Sequence, residues 1–504
     1  MRLGSITLFR NKFFLVLFLL SCYMVIFRIP LPGTDDIFYK QAGLNLARGF
    51  GFASPALQGF LPGVEKVFSL YPPVYPFLFG ICFFILGFSI TSSLMVSFLI
   101  CGLSAAIQVA LYKTLLNNKR IPLHIYFLIF FSWTLSIKAI DRPDPFLVLL
   151  VLTLLLLIIK KLPAGSSNKT QVCIIALMGL SLGTSPVLGA LLILYIFSVV
   201  LSIKGCNAGT VIRFGLWFSL AVVLMAIIWY IPIVRDPGLF QDQFLIQLTT
   251  KYNAPFSLKS LQGGLRFNFK YGFTGFYIPL FVFLMAIFIV NIFLEKDRHK
   301  IKFLGWQFLA LCFIIFLELI GIPQKYTYQQ ATLPFLVLVC GIAMIDLLGR
   351  IKGLFLRKTV LTCFFVTFVI ASLPFLRMLM FPLSWDRQDL YDYNSKLILS
   401  NIPKGSALLT DPEFWYVFNE NYRIFDATFG SCNILNCDYI LLAGGGASNT
   451  VTRFRSHFGL SDDYFYRNFK VKLNTLSSTP NEIFGFAIAR SRWCHRFLLY
   501  ERRK

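Results

Sequence analysis

The chain is poor in acid, poor in histidine, and lacks the motifs of soluble nucleotide enzymes. Of 504 residues, 23 are Asp or Glu and four are His, against 47 Lys or Arg. His124, His299, His457 and His495 form no metal-ligand spacing. No phosphate loop with a Lys-Ser/Thr ending and no serine-hydrolase elbow is present. Gly444-Gly445-Gly446 follows an apolar run but lacks that ending, and reads as a turn. Charge is scarce at 14% of residues, where soluble domains carry about 25%. That excludes an ordinary soluble fold.

What the chain has in quantity is apolar sequence. Hydrophobic residues make up 57% and the mean hydropathy is +0.71. Apolar runs fall near 13–29, 74–88, 94–112, 122–140, 145–159, 172–184, 187–203, 211–233, 276–294, 303–322, 331–348 and 359–376. Most are long enough to cross a hydrocarbon core of about 30 Å. The chain therefore reads as a polytopic α-helical membrane protein. Arg2, Arg10 and Lys12 precede the first run as in a signal peptide, but no small-residue cleavage site follows, so the first helix is expected to stay.

The net charge of +24 raises the question of nucleic acid. Its distribution argues against that partner, because many of the bases lie in short loops between apolar runs, the pattern of the positive-inside rule. If all twelve runs crossed, the loops Lys113–Arg120, Lys160–Lys169, Lys296–Lys302 and Arg350–Lys358 would face away from the basic N-terminus. The 74–88 run is short, follows Tyr71-Pro72-Pro73-Val74-Tyr75-Pro76, and contains Gly80 and Gly87. Read as a re-entrant or interfacial helix, it leaves eleven crossings. The cytoplasmic side then holds 19 Lys/Arg against three acids, and the outer side of the membrane region 13 against eight. The N-terminus is cytoplasmic, and the acidic clusters at Asp35-Asp36 and at Asp141-Arg142-Pro143-Asp144 both face outward.

Two domains follow from composition. Residues 1–378 form the membrane domain, with a first outer loop at 30–91 and a second at 234–275. Residues 379–504 are richer in charge and read as a small exported α/β domain. Its expected strands are Ala407–Thr410, Tyr439–Ala443 and Ile483–Ala489, and its expected helical runs are Pro412–Glu420 and Thr450–Gly459. The eleven cysteines mostly sit in apolar runs, where packing explains them. Cys432 and Cys437 are the exception: four residues lie between them, a spacing open to a small disulfide loop but without further zinc ligands nearby.

The acids carry the chemical interest, because ionised groups near lipid are costly and usually functional. Asp35-Asp36 reads either as first-turn acids complementing a helix dipole or as a general base or metal clamp. Thr34 is the expected N-cap of a helix from Asp35 to Arg48, which Gly49 and Gly51 end. Asp141 reads as an N-cap with Arg142 snorkelling, or the cluster forms a second acid site whose arginine donates to phosphate oxygens. Lys325-Tyr326-Thr327-Tyr328-Gln329-Gln330 reads as an interfacial anchor or as a cation facing an anionic headgroup. Lys251 and Arg266 are weaker candidates of that kind.

Asp35-Asp36-x-x-Tyr39, Tyr71-Pro72-Pro73 and Arg142-Pro143-Asp144, in that order, resemble the GT-C membrane glycosyltransferases. The nearest likeness is to the bacterial aminoarabinose transferases and the relatives of protein O-mannosyltransferases. The resemblance spans the whole layout and implies a polyprenyl-phosphate sugar donor with inverting transfer on the outer face of a bacterial inner membrane. It implies catalytic roles for Asp35, Asp36 and Asp144. It also implies substrate contacts from Arg142, Tyr39, Tyr71, Lys325, Tyr328 and Lys251, and a divalent metal on the three acids if one is used. Two departures stand out. Thr327 precedes Tyr328 where many members have arginine, leaving Lys325 as the substitute phosphate contact. Asp36 stands where many relatives have glutamate.

The chemistry is coherent without the family. A lipid-linked sugar needs an embedded transferase, the phosphate leaving group needs cations, and an acceptor hydroxyl needs a base, for which Asp35 is the first choice and Asp36 the second. The acceptor class stays open among envelope glycan, lipid and protein. A flippase, transporter or polymerase of lipid-linked saccharides is the alternative, although a transporter would want polar residues along several spans.

Overall fold

The computed structural model describes residues 3–503 apart from 59–60, 118–119, 164–166, 253–277, 296–297, 322–328, 419–421, 427–435, 444–460, 476–480, 484–485 and 489–494. Each of the twelve apolar runs falls on a helix. We label the helices α1 Leu3–Phe27, α2 Thr34–Ala47, α3 Val74–Leu86, α4 Ile90–Leu115, α5 Leu123–Lys138, α6 Asp144–Lys161, α7 Asn168–Thr184 and α8 Pro186–Lys204. They continue as α9 Ala208–Arg235, α10 Pro237–Tyr252, α11 Ile278–Leu294, α12 Arg298–Gly321, α13 Gln329–Arg350 and α14 Leu354–Met380. Among the described residues, five helical stretches are long and apolar enough to cross a membrane: Ile90–Leu115, Pro186–Lys204, Ala208–Arg235, Ala331–Arg350 and Leu354–Leu383. Phe84, Phe293 and Phe355 stand exposed on apolar helices, as side chains facing lipid would.

Helix α3 has 13 residues, about 20 Å at 1.5 Å per residue, short of a hydrocarbon core. It packs along α2. A Cβ on Gly43 would lie 2.0 Å from the Pro76 carbonyl oxygen, and one on Gly80 would lie 2.7 Å from the Gly43 oxygen. Only two glycines let the backbones cross this closely. Gly80, read from sequence as a mark against a span, is thus the contact that keeps α3 beside α2.

Helix α10 is tied to the segment between α2 and α3 by polar groups. Gln243 of α10 is buried, donates to the Pro62 and Val67 carbonyls at 3.0 and 2.8 Å, and accepts from the Ser69 amide at 3.1 Å. The Trp229 indole N–H donates to the Ser69 carbonyl at 2.8 Å. Each buried backbone group so satisfied would otherwise cost stability.

Every described strand comes after α14. Labelled β1 Ala407–Thr410, β2 Arg423–Asp426, β3 Tyr439–Ala443, β4 Phe469–Asn474, β5 Asn481–Ile483, β6 Phe486–Ile488 and β7 Phe497–Arg502, they form a five-stranded sheet and a two-stranded hairpin. The larger sheet runs β2-β1-β3-β7-β4, with β1 parallel to β2 and β3, and β7 antiparallel to β3 and β4. Strands β1 and β3 are buried along their whole length, as their continuous apolar sequences require.

Three details of this domain differ from the sequence reading. The segment expected as one strand at Ile483–Ala489 instead contributes to two short strands, β5 and β6, paired antiparallel. The helical run expected from Pro412 is a short 3-10 turn, Pro412–Val417. Asp411 fixes that turn by accepting from the Ala443 amide at 2.7 Å and donating its own N–H to the Leu441 carbonyl at 3.0 Å. The helical run expected at Thr450–Gly459, the Gly444–Gly446 turn and Cys432 lie outside the described residues, and Cys437 is buried.

Candidate active site

Helix α2 opens the site. Its N-cap is Gly33, not Thr34, and the Asp36 carboxylate reaches back to accept from the Gly33 amide at 3.1 Å. Gly33 is required by closeness, since a Cβ there would fall 2.3 Å from Asp141 Oδ2. The expected C-terminal stop holds: the helix ends at Ala47, and Gly49 and Gly51 follow at φ +79° and +85°.

Two carboxylates that are neighbours in sequence have different surroundings. Asp36 is 4% exposed. Its Oδ1 accepts from the Lys40 ammonium, one helical turn on, and from the Tyr416 hydroxyl at 3.0 Å. Lys40 is 1% exposed, donates to Ser93 Oγ at 3.0 Å, and sits 4.5 Å from the Phe79 ring centroid. Asp35 keeps 32% of its side chain exposed, and its Oδ2 accepts from Arg142 Nη1 at 3.3 Å. Asp36 is locked and Asp35 is open. That contrast separates the two candidates for a base.

The second acidic cluster meets the first. Helix α6 starts at Asp144 with Pro143 as its N-cap, so Asp141 does not cap it. Arg142 does not snorkel either. It is buried, donating through Nε to Asp144 Oδ2 at 2.7 Å and through Nη1 across 107 positions to Asp35. Burial and the nearby charges of Asp35 and Asp36 push the Asp141 carboxyl up to about 8, against the pull of Arg142 and Lys40. Residues 35 and 142 are thus in contact although α3, α4 and α5 lie between them in the sequence.

Tyr39 is buried and packs against Tyr71 at 5.2 Å and Tyr75 at 6.0 Å between ring centroids. The Tyr71-Pro72-Pro73 segment therefore shapes an aromatic wall next to the acids, and Pro73 caps α3. Lys325 and Tyr328 lie outside the described residues. Lys251 is on α10, but its side chain is not described.

The three carboxylates do not fit a metal. Asp35 and Asp144 share one guanidinium, and Asp36 is paired to an ammonium. Among the described residues, no group of three or more His, Cys, Asp or Glu is arranged to hold an ion.

Sequence reasoning missed Lys40, Ser93 and Tyr416. Lys40 had a signal, its i+4 spacing from Asp36. Ser93 and Tyr416 had none, because their roles depend on packing between distant elements.

No protein-family model and no curated protein matches this sequence. Among solved structures, the chain is similar to ArnT from Cupriavidus metallidurans in two crystal structures. The form bound to undecaprenyl phosphate is 12% identical with a TM-score of 0.53, covering 99% of this chain and 98% of that one. The apo form is 13% identical with a TM-score of 0.53, covering 98% of each. The chain has the ArnT fold. That fold is polytopic and helical with a small C-terminal sheet domain, as the sequence reading expected.

Proposed function

We propose that the protein is an inverting glycosyltransferase that moves a sugar from a polyprenyl-phosphate donor to an acceptor hydroxyl on the outer face of a bacterial inner membrane. The observation that carries this reading is the Asp35–Arg142–Asp144 contact, which sets a half-exposed carboxylate beside a buried guanidinium at the helix ends. In this reading Asp35 takes the proton of the acceptor hydroxyl as it attacks the anomeric carbon. The bond to the phosphate oxygen breaks on the opposite face, and the configuration inverts. Arg142 stabilises negative charge as the lipid phosphate departs. Asp144 holds Arg142 in place by accepting from its Nε, so the guanidinium stays fixed beside Asp35. The aromatic wall of Tyr39 and Tyr71 excludes water, which would otherwise hydrolyse the donor.

The fold match to an ArnT structure bound to undecaprenyl phosphate supports the choice of donor class. The test is deletion of the gene followed by mass spectrometry of envelope lipids, glycans and proteins. Loss of a single sugar mass from one of these is expected, and it would name donor sugar and acceptor together. An unchanged envelope profile would refute the reading.

A further inference from the structure

The C-terminal sheet domain touches the acid site directly. Tyr416 lies on the Pro412–Val417 turn that follows β1, and is 7% exposed. Its ring stacks on Phe88 at 5.2 Å, and its neighbour Trp415 packs edge-on against the same ring at 5.1 Å. Its hydroxyl reaches both Asp36 Oδ1 at 3.0 Å and Ser93 Oγ at 2.9 Å.

The protons can be assigned without conflict. Lys40 donates to Asp36 and to Ser93. The single phenolic proton goes to Asp36. The Ser93 hydroxyl then donates to the tyrosine oxygen. Four polar side chains from α2, α4 and the sheet domain thus close one ring of hydrogen bonds in which each hydroxyl proton has an acceptor. Burial and the charge of Asp36 push the Tyr416 phenol well above its usual range, so it stays a donor. A domain that merely docked on the membrane region would not need a buried hydroxyl aimed at a carboxylate. Trp415, edge-on against Phe88, already supplies apolar contact.

We infer that the sheet domain completes the acid site, with Tyr416 acting as a positioning residue that holds Asp36 so that the first turn of α2 presents Asp35. Asp36 also accepts from the Gly33 amide, so fixing its carboxylate fixes the helix start on which Asp35 stands. The inference rests on the proposed function for its catalytic consequence, but its structural content can be measured without substrate.

The experiment uses the full-length protein in membranes, with dicyclohexylcarbodiimide as the probe and mass spectrometry to read modification of each aspartate against pH. This reagent attacks protonated carboxyls. Tyr416→Phe keeps the ring stack and removes only the donor. It should raise Asp36 labelling at fixed pH about tenfold, because the carboxylate loses a donor that favours its charged form. Ser93→Ala should shift it in the same direction, since it breaks the same ring from the membrane side. In cells, Tyr416→Phe should lower sugar addition about tenfold at unchanged protein level. Unaltered Asp36 labelling in both variants would overturn the inference, even if deletion removes a sugar from the envelope. Shifted labelling with an envelope untouched by deletion would uphold the ring and refute the glycosyltransferase reading instead.

Discussion

Lys40 bears the largest single consequence at the scale of the residue. It is an ammonium buried against one carboxylate, one hydroxyl and one aromatic face. Breaking a buried pair by removing one partner costs about 3–5 kcal/mol, because the other charge is left without compensation. Lys40→Ala should therefore lower the thermal midpoint of the detergent-solubilised protein sharply, while Lys40→Arg should recover part of it. Asp141 gives a prediction in pH. Its carboxyl is ordinary at 3.8 when unfolded and is raised to about 8 in the fold. Below about 4 both states hold the proton; between about 4 and 8 only the folded state does. Its contribution to stability is full at the acid end and is lost as pH rises through that window. Above about 8 it adds a negative charge beside Asp35 and Asp36, so undecaprenyl phosphate binding should weaken there. Asp141→Asn should remove that alkaline limb, and titration of binding against pH in the two proteins checks it. Asp35, Arg142 and Asp144 were legible as candidates because charges at the ends of apolar runs stand out. Which of the paired aspartates is open was not legible, since it depends on a tyrosine 380 positions away.

Among the elements, the α2–α3 pair decides the shape of the site. The close crossing at Gly43 and Gly80 has no room for a methyl group. Gly43→Ala must separate the helices, and overpacking of this kind costs about 1–3 kcal/mol. The same shift would move the first turn of α2 away from Arg142. Reduced thermal stability together with lost sugar addition is expected, whereas wild-type behaviour in both would show that the crossing is looser than described. The sequence exposed α3 as an odd helix through its length, its prolines and its charge parity. It did not expose the reason, because a close backbone approach is a property of two elements and each glycine alone reads only as a weak helix former. The N-cap at Gly33 escaped for a similar cause: Thr34 is the better local capping residue, but Asp141 fills the space where a side chain at position 33 would go.

Across the whole molecule, periodicity and charge asymmetry were enough to place every apolar helix and the change to a sheet domain. They could not place that domain, whose Tyr416 reaches the acids, nor the staple at its root. There Arg496 bonds Asp389 through Nε at 2.5 Å and Asp386 through Nη2 at 2.9 Å, tying the last strand to the end of α14. These contacts join segments about a hundred positions apart, and no local pattern records them. The account turns on Asp35 as the open carboxylate among neighbours that are all held. The most direct measurement is to restore a deletion strain with Asp35→Asn at wild-type protein level and read the envelope by mass spectrometry. The account predicts that the sugar missing in the deletion stays missing, with transfer down about 10²–10⁴-fold as for loss of a general base. Restoration of that sugar to the wild-type amount would contradict it.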